Sequence, residues 1–275
     1  MSQSKPSLLA TTKRTLLPVL SRLQLLPTPF LSTFLLIHLS APLVANVGGS
    51  EAASQVMLLG REYYQTSFGE PWLVFGPLAV HVAAGVLRRA LLLTPTHHEA
   101  SEDLERETRK PTTLIWSGLK RLSLLQITAY PPLIFLPIHT LVNRFYPMTP
   151  GPPIDSLGPG ELDYEFVKVG FQGWSWGVRS WLVYGTLVGC TIIHASEGWG
   201  FLIRRIWGSR VEPMGKAAVV TTVTGTSRRR RRFIAGLCAV SVLCGLAAIT
   251  SERLMVLGTL SERYESVYRL SGWYR

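Results

Sequence analysis

Five stretches of this 275-residue chain are long and apolar enough to cross a bilayer. About 30 Å of hydrocarbon takes roughly 20 residues of helix. The stretches cover residues 30–49, 71–93, 119–142, 180–203 and 233–250. Lipid offers no partner to a bare N–H or C=O, so such segments satisfy their backbone internally, as helices. The expected fold is therefore all-α: a polytopic membrane protein whose five-helix transmembrane bundle occupies 30–250. A tail at 1–29 precedes it and a C-terminal tail at 251–275 follows. Composition agrees, since only 16% of residues are charged and 47% are hydrophobic, against about a quarter charged in soluble domains. The net charge of +11 would suggest nucleic acid in a soluble chain. Here the cations flank apolar runs, which points to lipid headgroups and topology. No nucleic-acid partner is expected.

Lys and Arg count 4 in the N-terminal tail, 7 in 88–121 and 9 in 204–232, against 8 on the opposite side of the spans. The positive-inside rule then places the N-terminus in the cytosol and the C-terminus across the membrane. The tail has Lys5, Lys13, Arg14 and Arg22 and no acid before Glu51, with many Ser and Thr, a mitochondrial-targeting composition. The reading here is a retained tail rather than a cleaved presequence.

Within the spans, Trp72-Leu73-Val74-Phe75-Gly76 recurs as Trp181-Leu182-Val183-Tyr184-Gly185. Each copy leads to a histidine with glycine four residues on (His81 and Gly85, His194 and Gly198) and then to an Arg pair. The first helix pair thus looks duplicated as a parallel repeat. Pro131-Pro132 predicts a kink in the third span. Gly185 and Gly189 allow a close helix approach in the fourth. The connection 143–179 reads as an irregular loop with a short interfacial helix around Trp174 and Trp176. Cys190, Cys238 and Cys244 read as small apolar residues, and His97-His98 as a surface pair.

Four consecutive spans carry one histidine each: His38, His81, His139 and His194. A titratable ring in hydrocarbon is costly. Imidazoles facing each other across a bundle suit b-type haem, two rings per iron, so the cofactor expected is haem b, up to two. Gly85 and Gly198 would leave room for the macrocycle. Hydrogen bonding between helices is the competing use of the same rings.

The tail ends in Leu16-Leu17-Pro18-Val19-Leu20-Ser21-Arg22-Leu23-Gln24-Leu25-Leu26-Pro27-Thr28-Pro29. Such a segment is expected to be extended near its prolines, with leucines for partner pockets and a backbone able to extend an exposed strand. A helix-entry turn before Phe30 is the simpler alternative. Asn46, Gln126 and Thr191 are polar span residues that would line a headgroup path or bond between helices. There is no nucleophile–base arrangement and no Gly-rich phosphate loop, so the chain does not read as an enzyme.

Five spans with one histidine on each of the first four resemble the membrane anchors of di-haem fumarate reductases and the succinate dehydrogenase cytochrome b subunits. That resemblance pairs first helix with third and second with fourth, giving His38 with His139 and His81 with His194. Depth along the helices leaves the assignment of His38 and His81 open. The basic tail with Leu-Leu-Pro-Thr-Pro ahead of such an anchor resembles the fungal mitochondrial outer-membrane adaptor family. That family recruits the bridge-like (chorein-type) lipid-transfer protein. The resemblance covers about 30–250 plus the tail motif. It implies partner contacts at Leu23, Leu25, Leu26, Pro27 and Pro29. It also implies lipid scrambling for lipid homeostasis at membrane contact sites, in a multi-pass outer-membrane protein with its C-terminus in the intermembrane space. The alternative function is a di-haem b-type cytochrome in electron transfer.

Overall fold

The computed structural model describes residues 8–94, 122–207 and 217–275. Every regular element among them is helical. They are α1 (Leu8–Leu25), α2 (Thr28–Tyr64), a π-helical segment Glu70–Phe75 leading into α3 (Gly76–Leu93), α4 (Leu124–Ile127), α5 (Tyr130–Thr140) with a π-helical turn Leu141–Phe145 and a 3-10 turn Tyr146–Met148 after it, a 3-10 turn Pro159–Glu161, α6 (Tyr164–Val169), α7 (Gly173–Trp207), α8 (Ala217–Ser251) and α9 (Gly258–Leu270). Among the described residues, four helical stretches are long and apolar enough to cross a membrane: Leu8–Tyr64, Glu70–Leu93, Leu124–Met148 and Arg228–Ser251. The expected fourth span lies on α7, which has 35 residues. Thr186, Thr191, His194, Ser196 and Glu197 dilute its hydropathy, and it is not among the four.

The chain divides into two compact units, residues 1–36 with 63–121 and residues 37–62 with 122–275. In the first, α1 packs along α3. Arg88 Nε donates to Ser21 Oγ (3.2 Å), and His81 Nδ1 lies 2.8 Å from the carbonyl of Gln24. Higher numbers on one helix meet lower numbers on the other, so the two run antiparallel. The tail is thus helical through Pro18, not extended. It breaks only at the Leu26–Pro27 turn, because Pro27 and Pro29 lack the N–H groups that would continue the ladder. Phe34 and Tyr64, near opposite ends of α2, meet edge to face at 5.1 Å.

In the second unit, α2 is broken at Gly49, whose φ of 64° suits glycine. Arms on both sides of the break bury alanines (Ala41, Ala45, Ala53) in one core. Helices α5 and α8 both pack on α7. The close approach in this bundle is at Gly245, where a Cβ would collide with the Pro42 carbonyl. Gly185 and Gly189 have nothing within 4 Å of a Cβ, so the close contact they allow is not made there. The third span does break, at Thr128–Ala129, just upstream of the proline pair. Pro131 and Pro132 then occupy the first turn of α5, where a missing N–H costs nothing.

The best-buried side chains lie where loops were expected. Tyr264, Tyr268, Phe166 and Val169 are among the largest fully buried residues. Phe166 stacks on Tyr268 at 5.0 Å, and Tyr274 meets Tyr268 edge-on at 4.9 Å. The 143–179 connection and the C-terminal residues therefore fold together as a cap around α6 and α9. Trp174 and Trp176 open α7 rather than forming a separate helix.

Candidate functional site

The structure brings His38 and His139 together. Their rings stand 5.9 Å apart, nearly perpendicular at 82°. Tyr184 continues the series, 5.4 Å from His139. Asn143 sits one turn after His139. Its Nδ2 donates to the His139 carbonyl (2.8 Å) and points at His139 Nδ1 (3.3 Å), and its Oδ1 accepts from the Tyr184 hydroxyl (3.3 Å). Those contacts fix the amide orientation. His139 Nδ1 is then an acceptor, and in the neutral ring the proton sits on Nε2.

His81 and His194 are held the opposite way. His81 Nδ1 faces the Gln24 carbonyl at 2.8 Å and His194 Nδ1 faces the Leu125 carbonyl at 3.0 Å. A carbonyl only accepts, so both rings carry the proton on Nδ1. The two carbonyls belong to the last turns of α1 and α4, each just ahead of a helix break. A helix end leaves carbonyls without intrahelical partners. Each imidazole supplies the missing donor from a neighbouring helix. His81 lies in the first unit and His194 in the second.

Haem sets a demanding test for these residues. An iron with two axial imidazoles holds their ring centres roughly 6 Å apart with the macrocycle between. The His38–His139 spacing meets that distance. The proton on His139 Nε2 opposes it, because a ligating nitrogen must offer a lone pair. His81 and His194 have the ligating tautomer, with the backbone bond that usually orients a ligand. At Gly85, however, a Cβ would lie 3.1 Å from Gln24 Nε2, so the space expected for a macrocycle holds a side chain of α1. The His38–His139 spacing thus suits a bis-imidazole site, while the His139 tautomer and the Gln24 side chain at Gly85 would both have to change to admit the group. Among the described residues no three His, Cys, Asp or Glu side chains are grouped to hold a metal ion. His97 and His98 lie outside the described residues.

The tail residues divide by exposure. Leu26 is 69% exposed and Leu23 41%, Pro29 is exposed, Leu25 is half-buried and Pro27 is buried. Leu16, Val19, Leu23 and Leu26 fall at helical spacing along α1 and into the turn that follows it, and form one exposed apolar stripe. On its packed side, α1 places Gln24 against His81, at the middle of the apolar helix Glu70–Leu93.

Two of the three polar span residues have structural partners. Asn46 donates to the Ser241 carbonyl (3.0 Å), and Gln126 closes a capping box with Ser123. Two charged clusters escaped the sequence reading. In the cap, buried Lys168 donates to Glu165 (2.7 Å), Glu252 (3.1 Å) and the Arg253 carbonyl (3.2 Å). Beside it lies a polar groove of about 650 Å³ lined by Ser50, Glu51, Asp163 and Glu252. On α7, Glu197 is 8% exposed and is engaged by Arg231 and Arg232 of α8. A carboxylate inside an apolar run was the available signal.

No known protein family, curated protein or solved structure matches the chain.

Proposed function

We propose that this chain is a multi-pass protein of the mitochondrial outer membrane that recruits a bridge-like, chorein-type lipid-transfer protein through its N-terminal segment. In this reading it also passes delivered lipids between leaflets, with its N-terminus cytosolic and its C-terminus in the intermembrane space. The exposed apolar stripe carries the reading, because Leu23, Leu26 and Pro29 stand on the face of the α1–α2 junction that no part of their own unit covers. A five-helix bundle with a parallel helix-pair repeat belongs to the same proposal, with α7 as its fourth span. The equivalent parts of His81 and His194, each answering a carbonyl at a helix break, support the repeat. Because α1 lies along the middle of α3, recruitment requires the Leu26–Pro27 turn to come free of its neighbour.

The test is co-purification of the full chain with the partner's adaptor-binding repeat domain. Changing Leu26 and Pro29 to Ala should abolish capture while leaving membrane insertion unchanged. Undiminished capture would remove the motif from the proposal.

A second reading, a b-type cytochrome, is favoured by the 5.9 Å approach of His38 and His139. It is separated from descent of the bundle without its cofactor by the absorption spectrum of protein expressed with ample haem. A Soret band with a sharpened reduced α band supports the cytochrome, and colourless protein ends it.

A further inference from the structure

We infer that the basic end of α7 and α8 holds one phosphate-bearing anionic lipid, with Arg231 as its fork. The inference does not depend on the adaptor reading. Glu197 on α7 accepts from Arg232 Nε at 2.6 Å, a tight charge-assisted bond. Arg231 approaches the same carboxylate only to 3.7 Å, an ion pair beyond hydrogen-bond reach. Its guanidinium instead lies flat against the backbone at Gly200, where any side chain on α7 would collide with it. Glycine therefore makes the slot that receives this group.

In that slot, Nε and Nη2 of Arg231 are buried and make no hydrogen bond among the described residues, Nη2 being the atom that stands 3.7 Å from Glu197. Buried donors without partners are costly, and those of a charged group the more so. Two N–H groups on one edge of a guanidinium match two oxygens of a phosphate. The local charge agrees. Arg228, Arg231 and Arg232 act on one carboxylate, Glu197, which leaves two positive charges in excess. Arg228, Arg229 and Arg230 are exposed, and the apolar part of α8 starts at Phe233. The slot thus lies at the depth where a headgroup phosphate meets hydrocarbon, with further arginines beyond it for a second negative charge. A zwitterionic lipid offers the phosphate without that second charge, so discrimination is expected between them.

The experiment is native mass spectrometry of the full chain in detergent, titrated with phosphatidate and separately with phosphatidylcholine. Phosphatidate should bind about tenfold tighter, and Arg231→Lys should lose about tenfold, since lysine keeps the charge but not the fork. Arg229→Gln should change binding by less than about twofold, as expected for one screened surface charge. Equal losses from Arg231→Lys and Arg229→Gln would mean diffuse attraction to a basic belt and would overturn the site. Displacement of phosphatidate by millimolar inorganic phosphate would overturn the lipid as its ligand. If Arg231→Lys lowers thermal stability, Gly200→Ala replaces it, because that methyl displaces the guanidinium while leaving every charge in place. Unchanged affinity in Gly200→Ala would equally sink the proposal.

Discussion

Lys168 Nζ lies 3.1 Å from Glu252 Oε2, so one buried ammonium joins α6 to the residue that follows α8. Glu252 in turn accepts from the backbone N–H and the hydroxyl of Ser50, beside the Gly49 break in α2. Three segments distant in sequence meet at this carboxylate. Lys168 is buried but Glu252 is 37% exposed, so solvent screens part of the loss and removing the ammonium costs less than the roughly 3 kcal/mol of a fully buried pair. Lys168→Met is expected to lower the unfolding temperature of the detergent-solubilised protein by several degrees. A variant melting with wild type would show that the pair is not holding the cap.

Acid should loosen the same region. Hydrogen bonds from Ser50, then Lys168, hold Glu252 below its ordinary value, and the Gly158 N–H and Arg263 do the same for Glu161. A depressed carboxylate stabilises the fold above its ordinary value, near 4.5 for both groups, and loses that contribution as pH falls further. Burial pushes Asp163 the other way, so it offsets part of the loss. Cap stability, followed by tryptophan fluorescence at Trp176 and Trp273, should be flat from pH 8 to about 5 and fall below about 4.5. Asp163→Asn, which keeps an N-capping oxygen for the Glu165 N–H, should steepen the fall.

Tyr268 is fully buried between Phe166, Trp176 and Tyr274, and its ring also rests on Gly170. Tyr268→Ala should cost about 3–5 kcal/mol, the usual range for an aromatic deleted from a core. Gly170→Ala should destabilise too, because its methyl would enter the tyrosine ring. Limited proteolysis within 149–163 reads both, with wild-type resistance in either variant counting against this packing.

His194→Phe should remove the donor facing the Leu125 carbonyl and cost about 1–3 kcal/mol, the desolvation penalty of a stranded acceptor. His194→Asn should recover part of it by donating from its amide. If both variants melt alike, the backbone bond is not what the histidine contributes.

Four of the five expected spans were readable because lipid imposes one rule on composition, and hydrophobic length reports it directly, whereas the stretch on α7 falls short of that rule. His38 and His139 meet as rings 5.9 Å apart, a contact that span order alone did not fix. The cap was not readable. Its core draws Tyr164 and Phe166 from a Pro- and Gly-rich connection and Tyr264 and Tyr268 from the chain's end, and such long-range partners leave no periodic pattern. The Gly185–Gly189 spacing left the place of close approach open for a related reason. Small residues permit a close approach but do not choose it, and the approach occurs at Gly245. The tail was expected to be extended near its prolines, and the helix-entry turn before Phe30, the simpler alternative, is what the structure has. Pro18 sits inside α1, and only the Pro27–Pro29 pair breaks the helix.

The seat of α1 on α3 makes the basic N-terminal segment part of the scaffold it precedes. A protease that cut behind Gln24 would strip His81 of its carbonyl and Arg88 of the Ser21 hydroxyl in one event. The basic segment is thus also a structural strut, so trimming it and keeping the fold intact are competing demands on the same eighteen-residue helix.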